Sequence, residues 1–255
     1  MNMCGSPLGS YLTECPYIRG NRFLSENILI NDLDPEGLDY LLSIGFRHFG
    51  RHFFRPVCEK CHQCIPIRVP VEGCVLSRNL GRIVSKGRDL RCEVSAPAAT
   101  KEKYQLYLSH TARFEQRDTA GYESFEESFF HALPFSRELR IYRADELIAV
   151  SHFDITGTSL SAVYCYWDER AAKYSPGSYA ILKELEIART YNLSYLYLGY
   201  YVPENRHMNY KSRFRPNEVL LNEAGWEPFI SRDGKMPDTS MEGRGFIPSV
   251  VLRWE

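Results

Sequence analysis

The chain has 255 residues, 44% of them hydrophobic and 13% aromatic, which is enough apolar material for one large domain or two small ones that share a core. Its 31 basic and 32 acidic residues nearly cancel, so the total charge does not indicate a nucleic-acid partner. No apolar run approaches a membrane span and no signal-peptide pattern opens the sequence. Eight cysteines without a secretion signal indicate a reducing compartment, and we expect a cytoplasmic protein.

The first part of the sequence predicts short elements. They are a flexible lead-in over 1–12, a helix over 31–46, a strand or hairpin over 46–56, a strand over 67–71, and a loop or short helix over 77–87. The helix has clear start and stop signals, because Asp34 can cap it, Pro35 suits its first turn and Gly45 ends it.

Three cysteines at CxxCxxC spacing, Cys58, Cys61 and Cys64, follow this hairpin. Cysteines three residues apart on a tight loop can direct their thiolates at one centre, as zinc sites and iron–sulfur clusters require. The candidates for a fourth ligand are, in order of preference, Cys15, Cys4 and His62. We predict zinc or an iron–sulfur cluster at Cys15, Cys58, Cys61 and Cys64. The alternative is a set of reduced thiols that only shapes the loop.

Basic residues are concentrated between positions 47 and 91. Ten lie there: Arg47, Arg51, Arg55, Lys60, Arg68, Arg78, Arg82, Lys86, Arg88 and Arg91. Only Glu59, Glu72 and Asp89 oppose them, so ten minus three leaves a local excess of seven positive charges. Such a patch can hold phosphates, whereas the alternative is a solvated basic face.

The second part of the sequence predicts a longer α+β pattern. Its elements are helices over 100–116 and 122–133, a hairpin over 139–155 that turns at 144–146, a strand over 160–167, a helix that opens at 175–178 and covers 179–191, and a strand over 193–201. Ser175 can cap the last helix and Pro176 can begin it.

The predicted order of three strands, one helix and one further strand is typical of the acetyltransferase-like (GNAT) α+β fold. In that fold the free amides at the helix N-terminus bind the phosphates of the donor. The segment 174–178 has too few glycines for the usual pyrophosphate cradle, so the donor need not be acetyl-CoA. We expect an antiparallel or mixed sheet with helices in 96–255, preceded by a smaller, basic, cysteine-containing region in 1–95.

Two segments carry a family resemblance. Residues 197–202 read Y-L-G-Y-Y-V and residues 208–216 read M-N-Y-K-S-R-F-R-P. They closely resemble the Leu-Gly-Tyr-Tyr…Met-Asn-Tyr-Lys-x-Arg-Phe signature of the arginyl-tRNA–protein transferase family. The resemblance extends to Cys15-Pro16-Tyr17, Gly45-Phe46-Arg47, Arg55-Pro56-x-Cys58 through Arg68-Val69, Ser77-Arg78 and Gly177 to Leu182. It covers most of residues 15–226, and the size matches the bacterial aspartate/glutamate leucyltransferase branch.

The resemblance implies an enzyme that takes an amino acid from aminoacyl-tRNA and joins it to the N-terminal Asp or Glu of a protein. The extended protein then becomes a degradation substrate in the N-degron pathway. The compact length favours leucine as the transferred amino acid, and arginine is the alternative. No cofactor is required for this chemistry, so a metal or cluster at the cysteines would be an addition to it.

The implied reaction needs few special groups. The donor ester is already activated, and the acceptor amine has a pKa of about 7.7–8.0, so alignment and a mild base suffice. Our catalytic candidates are Asp168, Glu204 and Tyr201, with Asp154 as an alternative proton acceptor. Any of these carboxylates can instead be an ordinary surface or capping group.

Substrate binding calls for cations and aromatic rings. A guanidinium grips a carboxylate with two hydrogen bonds, so arginine suits an acidic acceptor residue. The candidates are Arg78, Arg82, Lys211 and Arg213 for carboxylate or tRNA phosphate, and Tyr200 and Tyr210 for the aminoacyl or adenosine end of the donor.

Two other classes of function stay open at this point. One is an N-acetyltransferase that uses acetyl-CoA. The other is a non-enzymatic nucleic-acid or metal-binding module built on the basic, cysteine-containing region.

Overall fold

The computed structural model describes residues 1–114, 121–131, 133–221 and 225–235. These residues form a four-stranded sheet and an eight-stranded sheet, with helices on both faces of the larger one. Within the described ranges no helix combines the length and the hydrophobicity that crossing a membrane requires.

The smaller sheet is antiparallel and lies in the first 56 residues. Its strands are β1 (Met3–Glu14), β2 (Arg22–Leu33), β3 (Arg47–Phe49) and β4 (His52–Pro56), in the order β1-β2-β4-β3. Helix α1 (Pro35–Ser43) connects β2 to β3, and the Asp34 carboxylate caps it by accepting a 2.7 Å hydrogen bond from Gly37 N. The cap and the proline at its start confirm the predicted start of the helix. The helix is shorter than expected because residues 31–33 continue β2.

The expectation of a flexible lead-in over 1–12 is wrong. Strand β1 pairs with β2 from Met3 opposite Leu33 to Glu14 opposite Arg22. Gly9 has φ +85 and lies at a register shift, where it supplies a backbone conformation that other residues rarely adopt. The Gly, Ser and Pro content that indicated a loop therefore belongs to a bulged edge strand, whose order comes from its partner.

The larger sheet holds the remaining strands. They are β5 (Ile65–Pro70), β6 (Leu90–Ser95), β7 (Ser136–Arg143), β8 (Glu146–Ile155), β9 (Ser159–Trp167), β10 (Tyr195–Tyr201), β11 (Asn217–Leu221) and β12 (Gly225–Ile230). Their order is β12-β11-β5-β10-β9-β8-β7-β6. Only β9 and β10 run parallel, and every other neighbouring pair is antiparallel. The fold is therefore α+β with a mixed sheet, as expected.

Four further helices cover this sheet: α2 (Arg78–Lys86), α3 (Lys101–Thr111), α4 (Tyr122–Phe129) and α5 (Pro176–Thr190). Successive residues of β8 show which face each helix covers, because strand side chains alternate between the faces. The Ser151 hydroxyl donates to Glu184 of α5, whereas the His152 ring stacks on Phe129 of α4 at 5.0 Å. Helix α5 thus lies on one face and α4 on the other.

The predicted hairpin, the strand after it and the helix at 175–191 are confirmed. Ala144 turns the hairpin with φ 51, and Pro176 is the first residue of α5. Ser175 does precede that helix, but it has φ 52 and its side chain makes no capping hydrogen bond.

Strands β5 and β6 belong to the larger sheet although both precede residue 96. β5 is hydrogen-bonded between β10 and β11, and β6 forms one edge. A division of the chain into 1–95 and 96–255 therefore does not coincide with the two sheets. The sheets also share a core, since Tyr197 of β10 packs in the cluster that contains Phe46 and Phe53.

A buried ionic contact joins the two sheets. His48 of β3 lies with Nε2 2.7 Å from Asp154 Oδ2 of β8 and with Nδ1 2.8 Å from the Gly50 carbonyl oxygen. Ser136 Oγ donates to the other Asp154 oxygen at 2.6 Å. Burial by itself would raise the pKa of Asp154, but His48, Ser136 and Arg47 hold it below its ordinary value. The ring of His48 thus has an oxygen within hydrogen-bond distance of each nitrogen.

We expect Asp154→Asn to lower the free energy of unfolding at pH 7 by about 3–5 kcal/mol, because it leaves one partner of a buried pair uncompensated. A depressed carboxyl pKa adds stability that is present above the unfolded-state pKa of about 3.9 and lost as pH falls through the folded-state value. The wild type should therefore lose stability more steeply than the variant as pH falls below about 4.

Urea unfolding at a series of pH values measures both effects. Asp145→Asn is the matched control, because that side chain is fully exposed in the β7–β8 turn, 4.0 Å from Arg91. It should change stability by no more than about 0.5 kcal/mol. Equal losses for the two variants would contradict a role for Asp154 in joining the sheets.

Candidate active site at the split between β9 and β10

The two parallel strands of the larger sheet separate part-way along their length. β9 and β10 pair only from Ser159 opposite Tyr195 to Ser161 opposite Tyr197. Beyond these residues both strands continue, to Trp167 and to Tyr201. A 3-10 helix at Asn209–Arg213 packs against β10, and the start of α5 lies nearby. The split opens the interior of the sheet and leaves backbone groups that other partners must satisfy.

Arg47 of the smaller sheet reaches this split. Its Nη1 donates to Ser161 Oγ at 3.1 Å, and its Nη2 donates to the Ala162 carbonyl oxygen, just beyond the last paired residue of β9. The side chain is buried, and burial lowers the pKa of the guanidinium from its ordinary value. A guanidinium nevertheless stays charged in proteins. The split therefore has a fixed cation at its base.

Lys211 supplies a second cation beside the first. Its Nζ donates to the Tyr200 carbonyl oxygen at 3.0 Å, and burial together with the charge of Arg47 lowers its pKa to about 7. Gly199 lies between the two cations with φ +83, at a register shift in β10. A Cβ on Gly199 would be 3.4 Å from Lys211 Nζ and 3.5 Å from Arg47 Nε. Glycine at this position therefore leaves the side of β10 between the two cationic nitrogens without a side chain.

A buried carboxyl group lies on the helix side of the split. Glu184 of α5 is fully buried, and its Oε1 accepts a 2.7 Å hydrogen bond from Ser151 Oγ. Its Oε2 has no hydrogen-bond partner among the residues that the structure describes. Burial raises the pKa of Glu184 to about 7, while Ser151 and the charge of Arg47 act in the opposite direction. This group therefore changes its charge close to neutral pH.

Sequence reasoning missed the roles of Arg47 and Glu184. Arg47 was counted only as part of a basic patch, although it stands in the Gly-Phe-Arg motif that carries the family resemblance. Glu184 interrupts the apolar face of α5 four residues after Ala180 and four before Ala188, both of which are buried. A charged residue in the middle of a predicted apolar face was the signal that could have found it.

The three predicted catalytic residues lie in ordinary structural surroundings. Asp168 caps a short 3-10 helix by accepting a 2.8 Å hydrogen bond from Arg170 N, and it also binds the Arg170 side chain, which lowers the pKa of Asp168. Glu204 is exposed and accepts from Gln63 Nε2 at 3.2 Å. Tyr201 packs against Phe229, with ring centroids 5.3 Å apart. Their catalytic roles stay predictions.

The predicted substrate-binding residues divide into three groups. Lys211 and Tyr210 lie at the split, and the Tyr210 hydroxyl is 4.0 Å from the position of a Cβ on Gly177 at the start of α5. Tyr200 is buried, with its hydroxyl 2.9 Å from the Gly45 carbonyl oxygen. The others, Arg78, Arg82 and Arg213, are exposed.

The ten basic residues between 47 and 91 do not form one surface. Arg47 and Arg55 are buried, and Arg68 pairs with Glu218 at 2.7 Å. An exposed basic row remains on α2, where Arg78, Arg82 and Lys86 follow one another at four-residue intervals. Spacing by four places them along one side of the helix. Helix α2 packs against α5 and against the 3-10 helix at Glu169–Tyr174, which leads into α5.

The cysteines meet at the end of β10. Cys15, Cys58 and Cys64 share an apolar cluster with Tyr200 and Val202. Two backbone amides donate to sulfur, from Ile18 to Cys15 at 3.4 Å and from Leu24 to Cys58 at 3.3 Å. Burial raises the pKa of Cys58 and Cys64, and the nearby thiols raise both further, so these groups are protonated as they stand.

Among the described residues, no group of three or more His, Cys, Asp or Glu side chains is placed to hold a metal ion. Metal binding at Cys15, Cys58, Cys61 and Cys64 stays a prediction.

The overall architecture has a counterpart among solved structures. FemX matches with a TM-score of 0.50 at 9% sequence identity, over 83% of this chain and 86% of that one. At this identity the match shows a shared fold and no more.

The sequence itself has closer relatives. Family descriptions named “Arginine-tRNA-protein transferase, N terminus” and “Arginine-tRNA-protein transferase, C terminus” match residues 13–82 and 102–221. A protein of Campylobacter jejuni strain 81-176 named aspartate/glutamate leucyltransferase is 31% identical over 84% of this chain and 95% of its own length.

Relatives with the same name occur in other bacteria. The one from Stutzerimonas stutzeri is 38% identical over 75% of this chain and 83% of its own, and the one from Acinetobacter baylyi is 37% identical over 88% and 84%. The chain belongs to the arginine-tRNA-protein transferase family and is an aminoacyltransferase that acts on aminoacyl-tRNA and protein substrates.

Proposed function

We propose that the protein transfers leucine from leucyl-tRNA to the N-terminal Asp or Glu of other proteins. The observation that carries this proposal is the 38% identity to a relative named aspartate/glutamate leucyltransferase, over 83% of that relative's length. The reaction takes place in the cytoplasm, where charged tRNA is available, and its product enters the N-degron pathway.

The reaction is a simple acyl transfer. The α-amine of the acceptor attacks the ester carbon of leucyl-tRNA, a C–N bond forms, and the C–O bond to the terminal ribose breaks. The amine loses one proton and the ribose hydroxyl gains one. Because the ester is activated, most of the rate enhancement comes from alignment of the two substrates.

The fold suggests where the donor lies. We assign it to the acetyltransferase-like (GNAT) class, in which the split between two parallel strands holds the acyl group. The first turn of α5, where the amides of Gly177 and Ser178 precede the first intrahelical hydrogen bond, suits the phosphate nearest the 3′ end of the tRNA. Tyr210 lies beside that turn and would contact the terminal adenosine.

The proton acceptor comes from the carboxylates near the ends of β9 and β10. We retain Asp168 and Glu204 for this role, and Tyr201 as a positioning group beside them. Asp168 is ionised at neutral pH, because its interactions with Arg170 hold its pKa below the ordinary range. A carboxylate in this state can accept a proton through water.

An arginyl donor is the second candidate function. The observation that favours it is Glu184, a buried carboxyl group with one oxygen that lacks a partner among the described residues. An arginine side chain would give that oxygen a charged hydrogen-bond donor.

A transfer assay decides the donor. Purified protein is supplied with one charged tRNA at a time and with a peptide that begins with Asp, and the product mass identifies the added amino acid. We expect leucine to be added and arginine not. Matched peptides that begin with Asn or Gln should react at least about tenfold more slowly, because they leave buried charged groups without a partner. Addition of arginine alone would establish the second candidate.

The basic row on α2 should hold tRNA phosphates. Reversal of Arg82 and Lys86 to Glu should raise the KM for leucyl-tRNA and lower the salt dependence of log K by about 1–2 in slope. The control reverses two exposed cations elsewhere, Lys101 and Arg232, with the same change in total charge. Equal tRNA affinity of the wild type and the α2 variant at low salt would show that this row is only a solvated face.

We propose that Cys15, Cys58, Cys61 and Cys64 hold zinc or an iron–sulfur cluster. Four thiolates form a donor set that both accept. Support comes from the packing of Cys15 with Cys58 and Cys64, and from the amides directed at two of the sulfurs. The bound group would tie the loop after β4 to the connection between β1 and β2, where Cys15 lies, and would take no part in acyl transfer.

Elemental analysis of protein purified without oxygen tests this site, and zinc or iron should be found. Cys58→Ser should then lower the melting temperature more than Cys92→Ser, whose thiol packs away from the cluster near Tyr179. Absence of both metals, with all four thiols free to titrate, would exclude the site.

A further inference from the structure

We propose that Arg47 and Lys211 together bind the acidic side chain of the acceptor's N-terminal residue, with its carboxylate seated over Gly199. This inference rests on the proposed function. It assigns recognition of the acidic residue to the buried cations at the split between β9 and β10, instead of to the exposed arginines. It assigns to Arg47 a role in specificity.

The geometry brings spare hydrogen-bond donors of both cations to one point. Arg47 uses its two Nη atoms for Ser161 and Ala162, and within the described ranges its Nε–H has no acceptor. Lys211 directs Nζ to the Tyr200 carbonyl oxygen and, at 3.8 Å, to Met208 Sδ, which leaves one of three N–H donors. Arg47 Nε and Lys211 Nζ lie 3.5 Å and 3.4 Å from the place of a Gly199 Cβ.

Two adjacent buried cations favour an anion. Like charges close together in a buried site destabilise each other, and desolvation adds to that cost. Asp154, whose negative charge acts on Arg47, has its oxygens in hydrogen bonds with His48 and Ser136. Glu184 and Lys211 each have a pKa of about 7, so at neutral pH Glu184 carries part of a negative charge and Lys211 part of a positive one. A carboxylate that arrives with the substrate would supply the missing negative charge.

The charge of the place selects among the substrate groups. Two cationic N–H donors on one side of Gly199 match the two oxygens of a carboxylate. A leucine or arginine side chain would bring apolar surface or a further cation to two cations. The acceptor residue alone carries a carboxylate a few bonds from the reacting amine, so its binding here would hold that amine within the split.

Burial also separates this pair from the exposed arginines first considered for the role. Arg78 and Arg213 are exposed, and a solvated ion pair contributes little to binding. A carboxylate between buried cations loses its hydration water, so removal of either cation leaves a buried charge unpaired. An acceptor that begins with Asn or Gln likewise leaves the cations unpaired, so the site discriminates strongly against it.

The experiment measures kcat/KM for peptides that differ only in an N-terminal Asp or Asn, with leucyl-tRNA as donor. Three variants alter this binding place in different ways: Lys211→Gln and Arg47→Lys change the cations, and Gly199→Ala sets a methyl group against both nitrogens. We expect each to reduce the Asp-to-Asn ratio about tenfold or more. The KM for leucyl-tRNA should change less than threefold in Lys211→Gln.

Matched controls separate recognition from folding. Gly225→Ala changes a glycine with φ +79 and nothing within 4 Å of its Cβ, so it imposes the same backbone strain in open space. Lys101→Gln and Arg232→Lys repeat the side-chain changes at exposed positions. All three should keep the wild-type ratio. Circular dichroism melting shows which variants are folded, and those that are folded decide the result.

A second measurement uses the wild-type protein without tRNA. Titration with the Asp peptide should shift the 15N resonance of the Arg47 Nε group. This resonance is assigned as the one that is missing from the spectrum of Arg47→Lys or that moves in the spectrum of Lys211→Gln. The Asn peptide at the same concentration should not shift it. An Asp-to-Asn ratio that stays at the wild-type level in folded Lys211→Gln and Gly199→Ala, or an unchanged resonance, would overturn the inference. Failure of the wild type to add leucine to any Asp peptide would instead refute the proposed function.

Discussion

The site depends on one buried cation that crosses from one sheet to the other. Arg47 stands on β3 of the smaller sheet, and its guanidinium binds Ser161 and the Ala162 carbonyl oxygen of β9 where the pairing with β10 ends. A strand split leaves carbonyl groups without their ladder partners, and an interior carbonyl without a partner is costly. By supplying that partner, the smaller sheet stabilises the opening in the larger one.

The same arrangement explains why two sheets make one site. His48, the next residue along β3, is bound to Asp154 of β8, so neighbouring residues of one short strand hold two points of the larger sheet. The Tyr200 hydroxyl adds a third tie, to the Gly45 carbonyl oxygen just before β3. Each tie is buried, where hydrogen bonds and ion pairs are strong and losing one partner is expensive. The position of the split is therefore fixed by long-range contacts.

The electrostatics of the split follow from burial. Burial, together with the charge of Arg47, lowers the pKa of Lys211 to about 7, and burial raises the pKa of Glu184 to about 7 because it disfavours the charged form of either group. Groups poised near neutrality respond strongly to the charge of a bound substrate. A site of this kind distinguishes an acidic acceptor residue from its amide by charge, since the two side chains have nearly the same shape.

The class of fold, the family and most of the elements could be predicted from the amino-acid sequence. The periodic apolar face of α5, the Pro176 start and the alternating strands around it are local signals, and local signals are read directly from the chain. The motifs around Gly199 and Lys211 identified the family because several of them occur in one order. Lys211 and Tyr210 were chosen from those motifs, and both lie at the split.

Which charged residues are buried together became clear from the three-dimensional arrangement of the chain. Arg47 and Arg82 look alike in sequence, yet one is enclosed between two sheets and the other is exposed on α2. Strand β1 is likewise ordered because it pairs with β2. No local pattern in its Gly-, Ser- and Pro-containing sequence indicated this pairing. Burial and partners depend on residues more than a hundred positions apart, such as Arg47 and Ser161, and composition and spacing do not contain that information.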